Sequence, residues 1–318
     1  MTRRDTAARP VARREALAIP MSLYAALFVG VSLMYIIGLS LLTRGAGFVA
    51  TPPVTFDNFA KIASPLYLRS LLLSLRLAGM TALFCLAIGY PFAYFMAKAR
   101  PKARTWILLL VIVPFWTNAL IRIYGWKILL SASGPINQAL MGLGLVQRPL
   151  KLLYTDFAVL VGMVYAMIPF MVLPVYSAAE RLDWSVVEAA RDLGASPMKA
   201  FFTVVVPMTL PGILAGLVLT FIPSIGLFFL SDLLGGSNTM LWGNMVHNEL
   251  LKSRDLPFAA ALSVVLERFV GINTPHFKLH FGYLPIALAG MLYGIMPAIL
   301  VSLVSDVLAN LSNFNILF

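Results

Sequence analysis

Charge is what this chain has least of: Asp, Glu, Lys and Arg make up 12% of its 318 residues, about half the roughly 25% usual for a soluble domain. Apolar residues make up 60%, and the mean hydropathy is +0.88, which excludes an ordinary water-soluble globule. Cysteine occurs once, as Cys85 inside an apolar run, so no internal disulfide can form and the residue is expected to fill a small core space. Histidine is nearly absent. Two of the three, His276 and His280, stand four apart, but Gly, Asn and Pro precede them and no third ligand is near, so no metal site is expected. No GxxxxGK[ST] loop is present, which removes a common device for cradling phosphates. Acids are outnumbered by bases, 13 to 24, for a formal net charge of +11. These bases cluster at the ends of apolar runs, the positive-inside arrangement, so nucleic acid is not an expected partner and membrane lipid is.

In a bilayer core every backbone donor and acceptor needs an internal partner, and long unalternating apolar runs therefore select helices. The fold class is all-α, a polytopic transmembrane helical bundle of about six to seven membrane spans. At 1.5 Å per residue about 20 apolar residues cross the hydrocarbon core. Segments of that size lie near 19–43, 69–97, 104–131, 155–179 and 205–230, and a shorter run starts at Pro257. Residues 1–18 are a basic segment; Met1 to Glu15 holds five arginines, and the apolar stretch behind it is too long for a cleaved signal. The stretch KARPKAR at 98–104 carries four bases in seven residues between two spans and orients the chain. The N-terminus is then cytoplasmic, loops 44–68 and 132–154 are external, and 180–204 returns to the cytoplasm.

Residues 180–204 are too polar to span and too well punctuated for a slack linker. They read as two short helices. Ser185 and Glu188 match a capping box, Trp184 is placed to staple against Ala189, and Gly194 supplies a left-handed stop. Ser196 caps the second helix, with Pro197 in its first position.

Glu188-Ala189-Ala190, then Gly194, then Val204-Val205-Val206-Pro207 resemble the EAA loop of ATP-binding-cassette (ABC) importer permeases, with valines where isoleucine and leucine are more usual. The runs PFWTNALIRIYGW at 114–126, GPINQALMGLGL at 134–145, PFMVLPVYSAAERLD at 169–183 and the stretch 228–266 are similar to the spermidine/putrescine permeases within that family. The resemblance covers about 20–266, and the permease domain is bounded at 19–266. It implies a type I importer permease domain with a cytoplasmic coupling loop at 180–204, in which Glu188, Ala189, Ala190, Asp192, Gly194 and Pro207 mark the ATPase-docking segment. It further implies a non-catalytic subunit of the cytoplasmic (inner) membrane that imports polyamine with a second related permease, two ATPase subunits and a solute-binding protein. No cofactor is then bound by this chain; ATP and Mg belong to the partner ATPase.

A polyamine is a multiply charged cation on a thin aliphatic stem, so its pathway is expected to offer carboxylates and ring faces. The candidates are Trp116, Tyr124, Trp126, Tyr165, Asp232 and Trp242, each with the plainer reading of interfacial anchoring, packing or, for Asp232, a solvated loop. Arg122, near Asn118 inside a span, would repel a cation and points to a structural or gating role.

The C-terminal segment, 267–318, departs from the importer pattern. FGYLPIALAGMLYGIMPA at 281–298 and Asp306 resemble part of the S components of folate-type energy-coupling-factor transporters. This suggests a chimera joined near 260–270, with a divergent last span as the plainer reading, and leaves an S-component-like vitamin-binding protein or a non-assembling fusion as alternatives. One helix near 257–272, a polar loop 273–280 and a hydrophobic stretch 283–309 are expected.

Overall fold

In a computed structural model of the chain, residues 30–270, 272–274 and 277–279 are described. They form two compact units, residues 65–245 and the remainder on either side.

The larger unit is built on three long helices. Helix α3 (Pro65–Lys98) and α7 (Asp156–Glu180) correspond to the expected spans 69–97 and 155–179. The third is a continuous 30-residue rod, Pro197–Gly226, made of α9 (Pro197–Ala200), a π-helical turn (Phe201–Val205) and α10 (Val206–Gly226). Lipid-like interiors give helices no hydrophobic reason to pair, so close contact depends on small residues. A Cβ on Gly212 would stand 2.5 Å from Ala178 Cβ and 2.7 Å from the Pro174 carbonyl oxygen, and one on Gly216 would stand 2.6 Å from Met171 Sδ. Thr81, Thr209, Thr220 and Ser224 return their hydroxyls to the carbonyl four residues earlier, so no buried hydroxyl among these four lacks an acceptor. Cys85 is fully buried in the core beside Tyr90, Met171 and Val175.

The expected span 104–131 is not one helix. Helix α4 (Pro101–Ile112) runs into a 3-10 turn at Val113–Trp116, Thr117 is extended, and α5 (Ala119–Leu129) leaves at 94° to it. Pro114 removes a donor at the break, and the Asn118 side chain accepts from Leu120 N to start a new helix. The pair is therefore a broken span or a re-entrant turn. The expected span 205–230 is shifted. Its helix starts at Pro197 and stops at Gly226, and Phe228–Leu230 (α11) and a π turn, Ser231–Gly235, follow. Between α5 and α7 a short α6 (Pro135–Gly142) is held by Asn137, whose amide nitrogen donates to the Ser131 and Leu150 carbonyls.

In the smaller unit the described helices are α1 (Gly30–Ser40), α2 (Asp57–Ile62) and α13 (Leu256–Val270), with a strand pair β1 (Thr43–Arg44) and β2 (Ala50–Thr51). Asn58 ties α2 to the Ser40 and Leu42 carbonyls. Helix α12 spans Trp242–Leu251. Helix α13 passes through Glu267 without a break, and within the expected loop 273–280 the described residues lie in strands, β3 (Ile272–Thr274) paired antiparallel with β4 (Phe277–Leu279). Alternation of Ile, Thr, Phe and Leu with polar partners suits paired strands better than an open loop. The described residues contain three helices able to cross a membrane, or four with the bent pair. The expectations for 1–29, for the His276–His280 pair and for 280–318 lie outside the described residues.

Candidate functional site

The segment between α7 and the Pro197–Gly226 rod builds a polar helical hairpin at one end of the larger unit. Helix α8 (Trp184–Asp192) has no fully buried residue; Trp184, Val187 and Ala190 are half-buried and the rest exposed. Its start differs from the sequence expectation. Asp183 is the N-cap, and its carboxylate accepts from Ser185 N at 3.0 Å; Ser185 lies inside the first turn and the capping box with Glu188 does not form the helix start. Both Asp and Ser are good caps, and the Ser-x-x-Glu spacing drew attention two residues too far along. Hydrogen bonds from Ser185 hold the Asp183 carboxyl below the usual carboxylate range. Trp184 is the first residue of α8, after the cap and not before it, and its ring meets that of Tyr94.

Gly194 has φ +87° and ends α8 in the left-handed conformation. Its neighbours close the turn, with Gly194 N donating to the Arg191 carbonyl and Ala195 N to that of Ala190. Ser196 then accepts from Lys199 N, with Pro197 following it, as the sequence suggested. The second helix is not a separate piece, because its residues lead through the π turn directly into α10. Glu188, Ala189, Asp192, Gly194 and Pro207 are exposed and Ala190 is half-buried. Sequence reasoning passed over the tip: Leu193 is 90% exposed and Met198 67%. Two large apolar side chains beside a glycine turn, without cover, form a surface suited to a docking partner.

The base of the hairpin is pinned. Arg104 Nη1 is 2.6 Å from Glu180 Oε1, and its Nη2 donates to the Ala97 carbonyl.

The aromatic candidates do not converge on one place. Trp126 and Tyr165 meet edge to face at 5.6 Å. The Arg122 guanidinium lies 5.9 Å from the Tyr165 ring and 4.7 Å from that of Phe115, in a cleft of about 210 Å³ lined by Ile88, Phe92, Leu110, Pro114 and Val172 among others. Its Nε has no hydrogen-bond partner among the described residues. A fixed cation between those rings leaves them poorly placed to receive a second one. Trp116 and Tyr124 are exposed on the bent pair, whereas Trp242 is fully buried, with its backbone N–H donating to Ser74 Oγ. Asp232 is exposed in the second π turn and accepts from Asn244 Nδ2 at 2.6 Å.

A bundle of long apolar helices carrying an exposed, capped loop hairpin is the architecture of a membrane-embedded helical protein. Residues 89–316 match the family described as binding-protein-dependent transport system inner membrane component. The chain belongs to that family and is an ABC importer permease. The match continues past residue 267, where the sequence suggested a change of descent. Among curated relatives, the spermidine/putrescine transport system permease protein PotB of Salmonella typhimurium (strain SL1344) is 48% identical over 246 residues, 77% of this chain and 86% of that protein. PotB of Escherichia coli (strain K12) is 47% identical, over 77% and 90% of the two chains. The inner membrane ABC transporter permease protein YdcU of Escherichia coli (strain K12) is 31% identical over 229 residues, 68% of this chain and 72% of that one. Among solved structures, a bacterial ABC transporter involved in import of the acidic polysaccharide alginate superposes with a TM-score of 0.63 over 96% of both chains at 17% identity. The similarity of that structure concerns the fold.

Proposed function

We propose that this permease carries a polyamine, spermidine or putrescine, across the inner membrane, and that residues 180–204 dock onto a cytoplasmic ATPase. The observation that carries the substrate reading is 47–48% identity over about three quarters of the chain to permeases named for those two amines. The exposed Glu188, Leu193 and Met198 on a capped, glycine-terminated hairpin support the docking reading.

In this reading the loop faces the cytoplasm together with the N-terminus. A second related permease completes the pathway, two ATPase subunits supply the energy, and a solute-binding protein delivers the amine. ATP and Mg bind to the ATPases, and this chain performs no hydrolysis. Closure of the ATPases moves the docked hairpin, and the bundle passes between inward-facing and outward-facing states as a two-state element. Capping stiffens the hairpin so that displacement is transmitted instead of being absorbed.

The test is co-purification of the chain with its ATPase, alongside uptake of labelled spermidine and putrescine by cells. Capture that is lost in Glu188→Arg, with uptake lost in parallel, supports the reading. Capture by the intact chain without amine uptake would remove the polyamine assignment and keep the importer.

A further inference from the structure

We propose that Lys98, Tyr94 and Trp184 form a clamp that passes movement of the loop helix α8 to the long helix α3, and that they are positioning residues for transport. The inference rests on the docking role of residues 180–204.

Helix α8 has no fully buried residue; its half-buried residues are Trp184, Val187 and Ala190. Trp184, its first residue, makes the ring contact with α3. The Trp184 ring lies 5.8 Å from that of Tyr94. The Lys98 ammonium stands 4.8 Å from the Trp184 ring centroid and 4.4 Å from that of Tyr94. One cation thus spans two rings from two different elements. Lys98 is also the last residue of α3, where the negative end of the helix dipole favours a cation.

Tyr94 carries the contact further. It meets Phe201 edge to face at 5.4 Å, Phe201 meets Tyr90 at 5.7 Å, and the Tyr90 hydroxyl is 2.9 Å from Thr209 Oγ1. Phe201 opens the π turn between α9 and α10. A π turn interrupts the regular helical ladder and is a common location for functional adjustment. Movement of α8 therefore reaches α3 through a direct contact, and reaches α10 through a ring seated on the turn. A positioning pair of this kind must keep its geometry through the cycle, and a cation held over ring faces does so without needing a carboxylate that water could strip away.

The experiment uses the assembled transporter in vesicles with its ATPase and binding protein, comparing intact chain, Lys98→Arg, Lys98→Gln and Tyr94→Leu. ATPase capture, ATP hydrolysis and labelled spermidine uptake are measured on each. We expect Lys98→Gln and Tyr94→Leu to capture the ATPase and hydrolyse ATP as the intact chain does, with uptake per ATP reduced about two- to fivefold, the factor an exposed cation–π contact supplies. Lys98→Arg retains coupling, because a guanidinium also stacks on ring faces. Unchanged uptake per ATP in Lys98→Gln would overturn the clamp and leave the docking role intact. Loss of ATPase capture in Lys98→Gln would also overturn it, showing that the residue shapes the docking surface. Failure of the intact chain to capture any ATPase would overturn the docking reading itself.

Discussion

Arg104 and Glu180 pair at 2.6 Å and join the start of α4 to the last residue of α7, just before the chain enters the exposed hairpin. Glu180 is partly open to solvent, with 42% of its side chain exposed, which limits what the pair contributes. Glu180→Gln is expected to cost under about 1 kcal/mol. Thermal unfolding in detergent should show a small loss at low salt that shrinks as ionic strength rises. A loss independent of salt would assign the effect to packing.

The Asp183 cap predicts a pH dependence confined to the hairpin. Its folded carboxyl titrates below the ordinary carboxylate range because Ser185 donates to it. A depressed folded pKa gives stability that is fully present above the unfolded pKa and is lost as pH falls through the folded one. Protection of residues 183–192 from hydrogen exchange should therefore decline toward acid pH in the intact chain. Asp183→Asn keeps a capping oxygen and should flatten that decline.

Gly194, at φ +87°, should accept no side chain without cost. Gly194→Ala is expected to destabilise the turn by about 1–2 kcal/mol and to weaken ATPase capture, read by co-purification against a retained melting temperature of the bundle. Gly194→Asn should be milder, since Asn visits the left-handed region more readily.

Gly212 gives a contrasting case inside the bundle. A methyl there would press on the Pro174 carbonyl and Ala178 Cβ, two groups that cannot swing aside, so Gly212→Ala is expected to cost about 1–3 kcal/mol. Gly125→Ala, where nothing lies within 4 Å, should leave the melting temperature unchanged or slightly raised. Equal effects at the two positions would contradict the packing described for α7 and α10.

Much of this architecture is legible in the chain because bilayer physics narrows the choices. The run 155–179 has few polar residues and ample length, and it becomes α7 within one residue at each end. Gly194 and Ser196-Pro197 act locally, so their turn and cap were readable from types and spacing. Asp183 was missed because two competent caps stand two residues apart, and only the backbone path selects between them. The 94° break after Trp116 was missed for a related reason. Pro114 permits a break, yet Pro169 and Pro174 sit inside a continuous α7, so proline alone does not announce one.

Composition, apolar run length and short-range punctuation determined that the chain is a helical membrane protein with a capped polar loop, because those properties depend on solvent and nearest neighbours. Tertiary structure decided which rings meet, that Trp184 turns to Tyr94 and Lys98, that Trp242 is buried, and that Arg122 stands between Phe115 and Tyr165. Apart from Arg122 with Phe115, which meet across the break between α4 and α5, these pairings join residues far apart in the chain, and contact at such separation follows from how helices pack, which no local pattern encodes.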